Sequence, residues 1–389
     1  MAGLVVRPRA HILHGHDWVY ASEVLKVFGT PADGDVISLK DGRDKLLGTA
    51  IYNSKSQIVA RRISRRRQDL DLDFFVRRIT QAAAVRVARG CNPELSRLVW
   101  SEADGLPGVV ADRYGDVVVL QTLTMAMDQR KAMIAEALAA QPGVKTVIER
   151  NDAGIRTAEG LPLVTGILVG EDPGEREVNL RGVRYMVNFL LGQKTGLYLD
   201  QADNYALVAA HAKGRRVLDC FANQGGFALA CALAGASQVW AVESGAESAR
   251  KLRENAVRNG LTVEAIEEDV FALLKDAERS EARYDLIILD PPSFTKARGK
   301  LKDALRGYHE LHLRASRLLA PQGLLATFSC SHHVSAAEFE TAVAGGFADA
   351  GRSARILSRL TQAADHPAVL HLPETCYLKG LILEMMPGR

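Results

Sequence analysis

A lone cysteine between two serines, Ser329-Cys330-Ser331, closes an apolar run, and three carboxylates, Asp219, Glu243 and Asp290, each close another. Asp269 lies just past a fifth run, after Ile266. A thiol is a nucleophile once deprotonated; a free cysteine, with a pKa of about 8.5, is only a few per cent thiolate at neutral pH. Carbon 5 of cytosine is too weak a nucleophile to take a methyl group directly. A thiolate that adds to carbon 6 makes carbon 5 enamine-like and removes the difficulty. Cys330 is therefore the expected nucleophile, with His332 and His333 near enough in sequence to assist it or to point away. Cys91, Cys220, Cys231 and Cys376 fit better as small buried hydrophobes.

The turn around Asp219 is where a ligand would sit. The stretch from Val217 begins as a short apolar strand ending at Asp219, turns through small residues and Gly225-Gly226, and runs into a helix at Ala228–Ala234. That is the opening unit of a doubly wound α/β sheet, whose ligands bind at this crevice. Glycine lets a ligand approach the backbone. Gly225-Gly226 is not the spaced G-x-G-x-x-G that cradles a pyrophosphate. A carboxylate ahead of the turn would repel a phosphate on the helix dipole but suits an ammonium. S-adenosyl-L-methionine carries an ammonium, a sulfonium and ribose hydroxyls, and no phosphate. An ordinary βα turn without a ligand is the alternative. Glu243 stands 24 residues after Asp219, at the end of the next strand, where a carboxylate can hold both ribose hydroxyls. Phe221, Ala222, Asn223 and Gly225 of the turn, with Gln201 upstream, are expected around the same cofactor. Asp290-Pro291-Pro292-Ser293-Phe294 is stiff, because proline fixes φ and removes a donor. Pro291, Pro292 and Phe294 are expected against a planar base and Asp290 at its polar edge; a structural turn is the alternative.

The elements that must position these groups alternate from Gly192 onward. Helices are predicted over Gln201–Ala212, Ala246–Asn259 (capped by Gly260), Asp269–Arg279, Leu301–Leu319 and Ala336–Ala350. Strands are predicted at 216–219, Gln238–Glu243, Val263–Ile266, Tyr284–Asp290, Gly323–Ser329, Ile356–Leu360 and Leu378–Met385. This is an α/β pattern with a parallel, Rossmann-like sheet whose strand ends open on one edge. Residues 1–70 read as a small β barrel, with His14–Tyr20 as a loop or short helix, and residues 71–187 as a central α+β domain. The latter begins with a helix capped by Asp71 or Asp73, holds a hairpin around Asp112–Asp116, and ends in a hairpin at Glu177–Asn188. Residues 188–389 form the third domain.

With 389 residues, 47% apolar and 24% charged, the chain is long enough for two or three globular domains. No run resembles a membrane span, and Met1–Arg7 has no charged segment before a long apolar core, so the expected compartment is the cytoplasm. Five scattered cysteines with no C-x-x-C pair indicate neither a disulfide framework nor a metal site. Net charge is +3, yet residues 1–72 alone hold 12 Lys/Arg against 8 Asp/Glu. Five of those arginines lie in Arg61-Arg62-Ile63-Ser64-Arg65-Arg66-Arg67, which suggests a polyanion met at one place, or else a solvated linker.

Five motifs together resemble the bacterial large-subunit (23S) ribosomal RNA cytosine-5 methyltransferases that carry an N-terminal PUA domain. They are Gly192–Gln201, Asp219–Phe227, Asp290–Phe294, Phe328–Ser331 and Gln362–Pro367. The resemblance spans nearly the whole chain. It implies a PUA-like domain, a central α+β domain, a class I methyltransferase domain, S-adenosyl-L-methionine as donor and a cytosine in ribosomal RNA as acceptor. It makes Cys330 the nucleophile, Asp290 the residue at the target base, and Asp219, Glu243 and Asp269 the cofactor acids. Arg61, Arg62, Arg65, Arg66 and Lys194 are the expected RNA contacts. Many related enzymes carry a second cysteine in a D-x-P-C motif, where this chain has Ser293, so another group must take the carbon-5 proton. Two rivals stay open from sequence: methylation of an exocyclic amine through Asp290-Pro291-Pro292, and RNA binding without catalysis. A monomer and a homodimer are equally open.

Overall fold

The computed structural model describes residues 2–192, 195–295 and 298–387. The chain gathers into two compact units. One comprises Met1–Arg176, Val187–Leu199 and Ala364–Thr375; the other comprises Glu177–Met186, Asp200–Ala363 and Cys376–Arg389.

In the first unit, β-branched and apolar residues alternate to build β1 (Gly3–Val6), β2 (Trp18–Tyr20), β3 (Val24–Phe28), β4 (Val36–Lys40), β5 (Leu46–Tyr52) and β6 (Ile58–Ser64). They pair in the order β2-β6-β5-β4-β1-β3 over a core that includes Leu4, Val6, Val19, Ile37 and Leu39. The aromatic stretch expected as a loop or short helix instead gives β2, because Val19 points into this core while Trp18 and Tyr20 stay half-buried. Asp71 then starts α1 (Leu72–Ala88), its carboxylate accepting the Phe74 N–H at 2.8 Å. Phe74, Phe75, Ile79 and Ala82 form the buried stripe of that helix.

A second sheet follows, β11-β10-β9-β8-β7 in order, built from β7 (Leu95–Trp100), β8 (Val109–Tyr114), β9 (Val117–Thr122), β10 (Thr146–Asn151) and β11 (Val164–Val169). Two of its connections carry α2 (Met125–Asp128), α3 (Lys131–Ala139) and α4 (Ile155–Ala158). β11 escapes a sequence reading because it is an edge strand, broken by Gly166 and only half-buried. Within this unit Arg86 of α1 is buried, pairing with Asp104 at 2.5 and 2.8 Å and donating to the carbonyls of Ala82, Arg97 and Asp365.

The second unit takes in most of the hairpin of β12 (Glu175–Leu180) and β13 (Val183–Asn188), which the sequence had suggested for the central domain. It continues with α5 (Ala202–Ala209), β14 (Arg216–Cys220), α6 (Gly226–Leu233), β15 (Gln238–Val242), α7 (Ala246–Asn259), β16 (Glu264–Ile266) and α8 (Val270–Arg279). Then come β17 (Tyr284–Leu289), α9 (Leu301–Leu318), β18 (Leu319–Ser329), α10 (Ala336–Asp349), β19 (Ala354–Leu360) and β20 (Lys379–Met385). The strand order is β16-β15-β14-β17-β18-β20-β19. The first five strands are parallel. The last strand corrects the parallel expectation: β20 inserts antiparallel between β18 and β19. An antiparallel neighbour needs no α-helical crossover, and the connection from β19 to β20 carries only the short 3-10 turn Pro373–Thr375.

The core of this unit holds a buried imidazole. His312 of α9 is fully buried; its Nδ1–H donates to the Tyr308 carbonyl at 2.5 Å and its Nε2 accepts from the Thr327 hydroxyl at 2.8 Å. Burial pushes its pKa down to about 4. An unfolded histidine titrates near 6.5. The unfolded chain thus binds the extra proton between those values, and stability is whole above about pH 6.5 and falls as pH drops toward 4, by up to about 3 kcal/mol. Urea midpoints followed across this range should show the loss in the natural chain and a flatter profile in His312→Gln. Equal slopes would refute the assignment.

Candidate active site

The parallel register brings the polar strand ends together. Cys220 of β14 lies opposite Val242 of β15 and Leu289 of β17; Val242 lies opposite Ile266, and Leu289 opposite Thr327. Asp219, Glu243, Asp269, Asp290 and Cys330 therefore stand along one edge of one sheet. The strand order reverses between β14 and β17, which is where an open α/β sheet leaves a ligand crevice.

The turn after β14 is strained. Phe221, Asn223 and Gly225 all have positive φ, at 65°, 50° and 94°. Such backbone is uncommon for a side chain like that of phenylalanine, and outliers of this kind gather at functional sites. Gly226 is required for another reason: a Cβ there would stand 2.4 Å from the Tyr205 ring. Asp219 is buried, with Oδ2 accepting the Ala228 N–H of α6 at 2.9 Å. Its Oδ1 has no hydrogen-bond partner among the described residues. Burial first, and then the charges of Asp290 and Glu243, hold this carboxyl well above the usual range despite the Ala228 bond. A buried acid with a vacant oxygen fits a cationic ligand group such as an ammonium. The Glu243 carboxylate is fixed by the Asn223 and Gly245 N–H groups at 2.9 and 2.7 Å, and each oxygen keeps a lone pair for a hydroxyl. Ala222 is buried, its N–H donating to Val242. Asp269 caps α8 by accepting the Ala272 N–H at 3.0 Å. Gln201 is buried, its amide oxygen bonded to Asn204 at 2.6 Å.

Past β18 the strand alternation buries Ser329 and Ser331 and leaves Cys330 partly exposed. The Tyr308 hydroxyl of α9 bridges the two serines, at 2.8 and 3.0 Å. Ser331 in turn bonds Ser293 at 3.1 Å, and Ser293 bonds the Thr295 carbonyl. One hydroxyl chain thus ties the Ser-Cys-Ser loop to the Asp-Pro-Pro-Ser loop. Tyr308 was missed from sequence because a tyrosine on an amphipathic helix reads as core. His332 stacks on Tyr377, ring centroids 5.5 Å apart. Phe294 also departs from expectation: it packs inward on Tyr308 and Phe271, at 4.7 and 6.3 Å, where apolar area is buried. Pro291 is buried and Pro292 exposed. Of the other thiols, Cys220 and Cys231 are buried as expected, whereas Cys376 is exposed and Cys91 half-exposed.

The basic run of the first unit divides. Arg61 pairs with Glu102 at 2.6 Å and covers the Trp18 ring, and Arg62 is buried against Asp17 at 2.6 Å. These two are corrected from RNA contacts to internal ion pairs, since a shielded guanidinium needs a partner. Arg65 and Arg66 are exposed. Lys194 lies outside the described residues.

The sequence profile of the S-adenosylmethionine-dependent methyltransferases matches residues 85–371, and that of a PUA-like domain matches residues 7–65. The chain belongs to the S-adenosylmethionine-dependent methyltransferase family. Its relatives include ribosomal RNA large subunit methyltransferase I of Tolumonas auensis, 38% identical over 380 residues and 96% of both chains. The enzyme of the same name from Shewanella amazonensis is 39% identical over 374 residues and 94% of both. Among solved structures, SMU.776 complexed with SAH superposes with a TM-score of 0.86 at 23% identity, over 99% of this chain and 100% of that one. Membership in this family makes the protein an enzyme and S-adenosylmethionine its cofactor, and the sheet described above is the Rossmann-like methyltransferase fold. Among the described residues no helix is long and apolar enough to cross a membrane.

Proposed function

We propose that this methyltransferase modifies carbon 5 of a cytosine in large-subunit ribosomal RNA, with Cys330 as nucleophile. The relatives' names supply the RNA class. The observation that carries the chemistry is the partly exposed Cys330, flanked by two buried serines, on the sheet edge that also presents Asp219, Glu243 and Asp290.

On this reading the Cys330 thiolate forms a bond to carbon 6 of the base, and the electron pair of the 5,6 double bond moves to carbon 5. When bound, S-adenosylmethionine supplies an electrophilic methyl group on a sulfonium, and carbon 5 takes it. A base then removes the carbon-5 proton, the double bond reforms, and Cys330 leaves as thiolate. Ser293 stands where a releasing thiol would be, so a second cysteine does not help. Asp290 steadies the polar edge of the base. Asp219 answers the methionyl ammonium and Glu243 the ribose hydroxyls, with Phe221, Ala222, Asn223, Gly225 and Asp269 around them. A paired base cannot reach such an edge, so the cytosine is unpaired or flipped. Residues 1–70, with Arg65 and Arg66 on their rim, hold the RNA backbone, which makes binding salt-dependent. The cytoplasm is the compartment this substrate requires.

The deciding experiment uses an RNA that the wild-type protein methylates, remade with 5-fluorocytosine. Fluorine at carbon 5 cannot leave as a proton does, so the adduct should persist on a denaturing gel. It should be absent with Cys330→Ala. If that RNA gives no adduct with the wild-type protein, the thiolate mechanism fails.

A further inference from the structure

Lys379 opens β20, ahead of the apolar run Leu381–Leu383. It is the cross-strand partner of Ser329, so its side chain starts one residue from the nucleophile loop. Its ammonium is half-buried and donates to the carbonyls of Ser331 and Val334, at 2.7 and 2.8 Å. Those carbonyls belong to the loop that begins with Cys330. Nothing in the chemistry above uses this cation. A lone ammonium placed under a loop is an expensive way to satisfy two carbonyls, since backbone N–H groups do the same without desolvating a charge.

We propose that Lys379 is the positioning residue for Cys330: it clamps the loop through the Ser331 and Val334 carbonyls and supplies the positive charge that favours the thiolate. This rests on the reading of Cys330 as nucleophile. Around the thiol, Tyr308 of α9 is neutral and Asp290 after β17 is negative; Cys376, just before β20, is another thiol; His332 is stacked on Tyr377, and His333 is exposed. The charges interact in the expected sense: burial lowers the pKa of Lys379, while the Cys330 and Cys376 sulfurs raise it. The same interaction, read from the other side, favours the thiolate of Cys330.

The test is the pH dependence of Cys330 alkylation by iodoacetamide in the full chain, read by mass spectrometry of the Cys330 peptide. In the wild-type protein the midpoint should lie below the ordinary cysteine value of about 8.5. In Lys379→Gln, which can still donate to a carbonyl but carries no charge, it should rise by at least about one pH unit, a tenfold loss of thiolate at neutral pH. Lys379→Arg should restore most of the shift. A merely structural clamp would leave the Gln midpoint where the wild-type midpoint is, and that result overturns the proposal. A wild-type midpoint at or above the ordinary value overturns it without any variant, which covers a Gln protein that fails to fold. Methyl transfer that survives Cys330→Ala would instead sink the nucleophile reading, so the two failures are distinguishable.

Discussion

Cys330→Ala is expected to lower kcat/KM for methyl transfer by at least about three orders of magnitude. In the proposed mechanism Cys330 makes and breaks the bond to carbon 6; Cys220, the thiol that ends β14, is buried. Cys330→Ser should be nearly as inactive, because a serine hydroxyl is far harder to ionise than a thiol. The folded state should hardly notice either change: the side chain is partly exposed, and a substitution of this kind falls within about 1 kcal/mol. Turnover with tritiated methyl donor, beside thermal melts and donor binding measured by calorimetry, separates loss of chemistry from loss of fold. Full transfer by Cys330→Ala, with the product mapped to an exocyclic amine, would select that rival chemistry. A wild-type protein that binds RNA and transfers nothing would select the binding reading. Cys91→Ser, in the first unit and far from this sheet in sequence, serves as the control and should keep its activity.

The largest effect on stability is expected at Arg86. Its guanidinium is 1% exposed, and both of its outer nitrogens reach Asp104. Arg86→Met fits the space but leaves the Asp104 carboxylate buried without its countercharge and three carbonyls short of a donor. Breaking a buried pair from one side destabilises by about 3–5 kcal/mol. Urea unfolding followed by tryptophan fluorescence should show the transition that involves Trp100 moving to lower urea. Adding Asp104→Leu to Arg86→Met should recover part of the loss, since the orphaned charge goes with it. An unchanged midpoint in the single variant would mean that the pair contributes little.

Much of the second unit was legible because its signals are local. Gly260 ends α7 in the left-handed conformation that the cap requires, and Asp269 opens α8 through its own side chain. The acids at strand ends followed from alternation alone. What escaped depends on partners far along the chain. Nothing near Arg61 announces Glu102, and nothing near Arg62 announces Asp17, so a run of arginines read as one surface cluster. Phe294 looked free to stack because its neighbours Tyr308 and Phe271 lie on two other helices. Lys379 did leave a trace, a cation at the head of the apolar run Leu381–Leu383, but its meaning needs the antiparallel register that places it opposite Ser329. That register was itself hidden, because hydrophobic period does not report strand direction.

The chain passes between its two units at residues 176, 186, 199, 363 and 375. The segment Ala364–Thr375 belongs to the first unit, where Asp365 accepts the Arg97 N–H at 2.8 Å and gives its carbonyl to Arg86. During synthesis, then, the N-terminal unit has its sheets long before it has all of its core contacts. It stays incomplete until Thr375 has emerged. Domains that are contiguous in sequence can fold one after the other as they leave the ribosome. Here the first unit must wait for nearly the whole of the second, and a nascent chain stalled anywhere before residue 364 carries Arg86 without one of its acceptors.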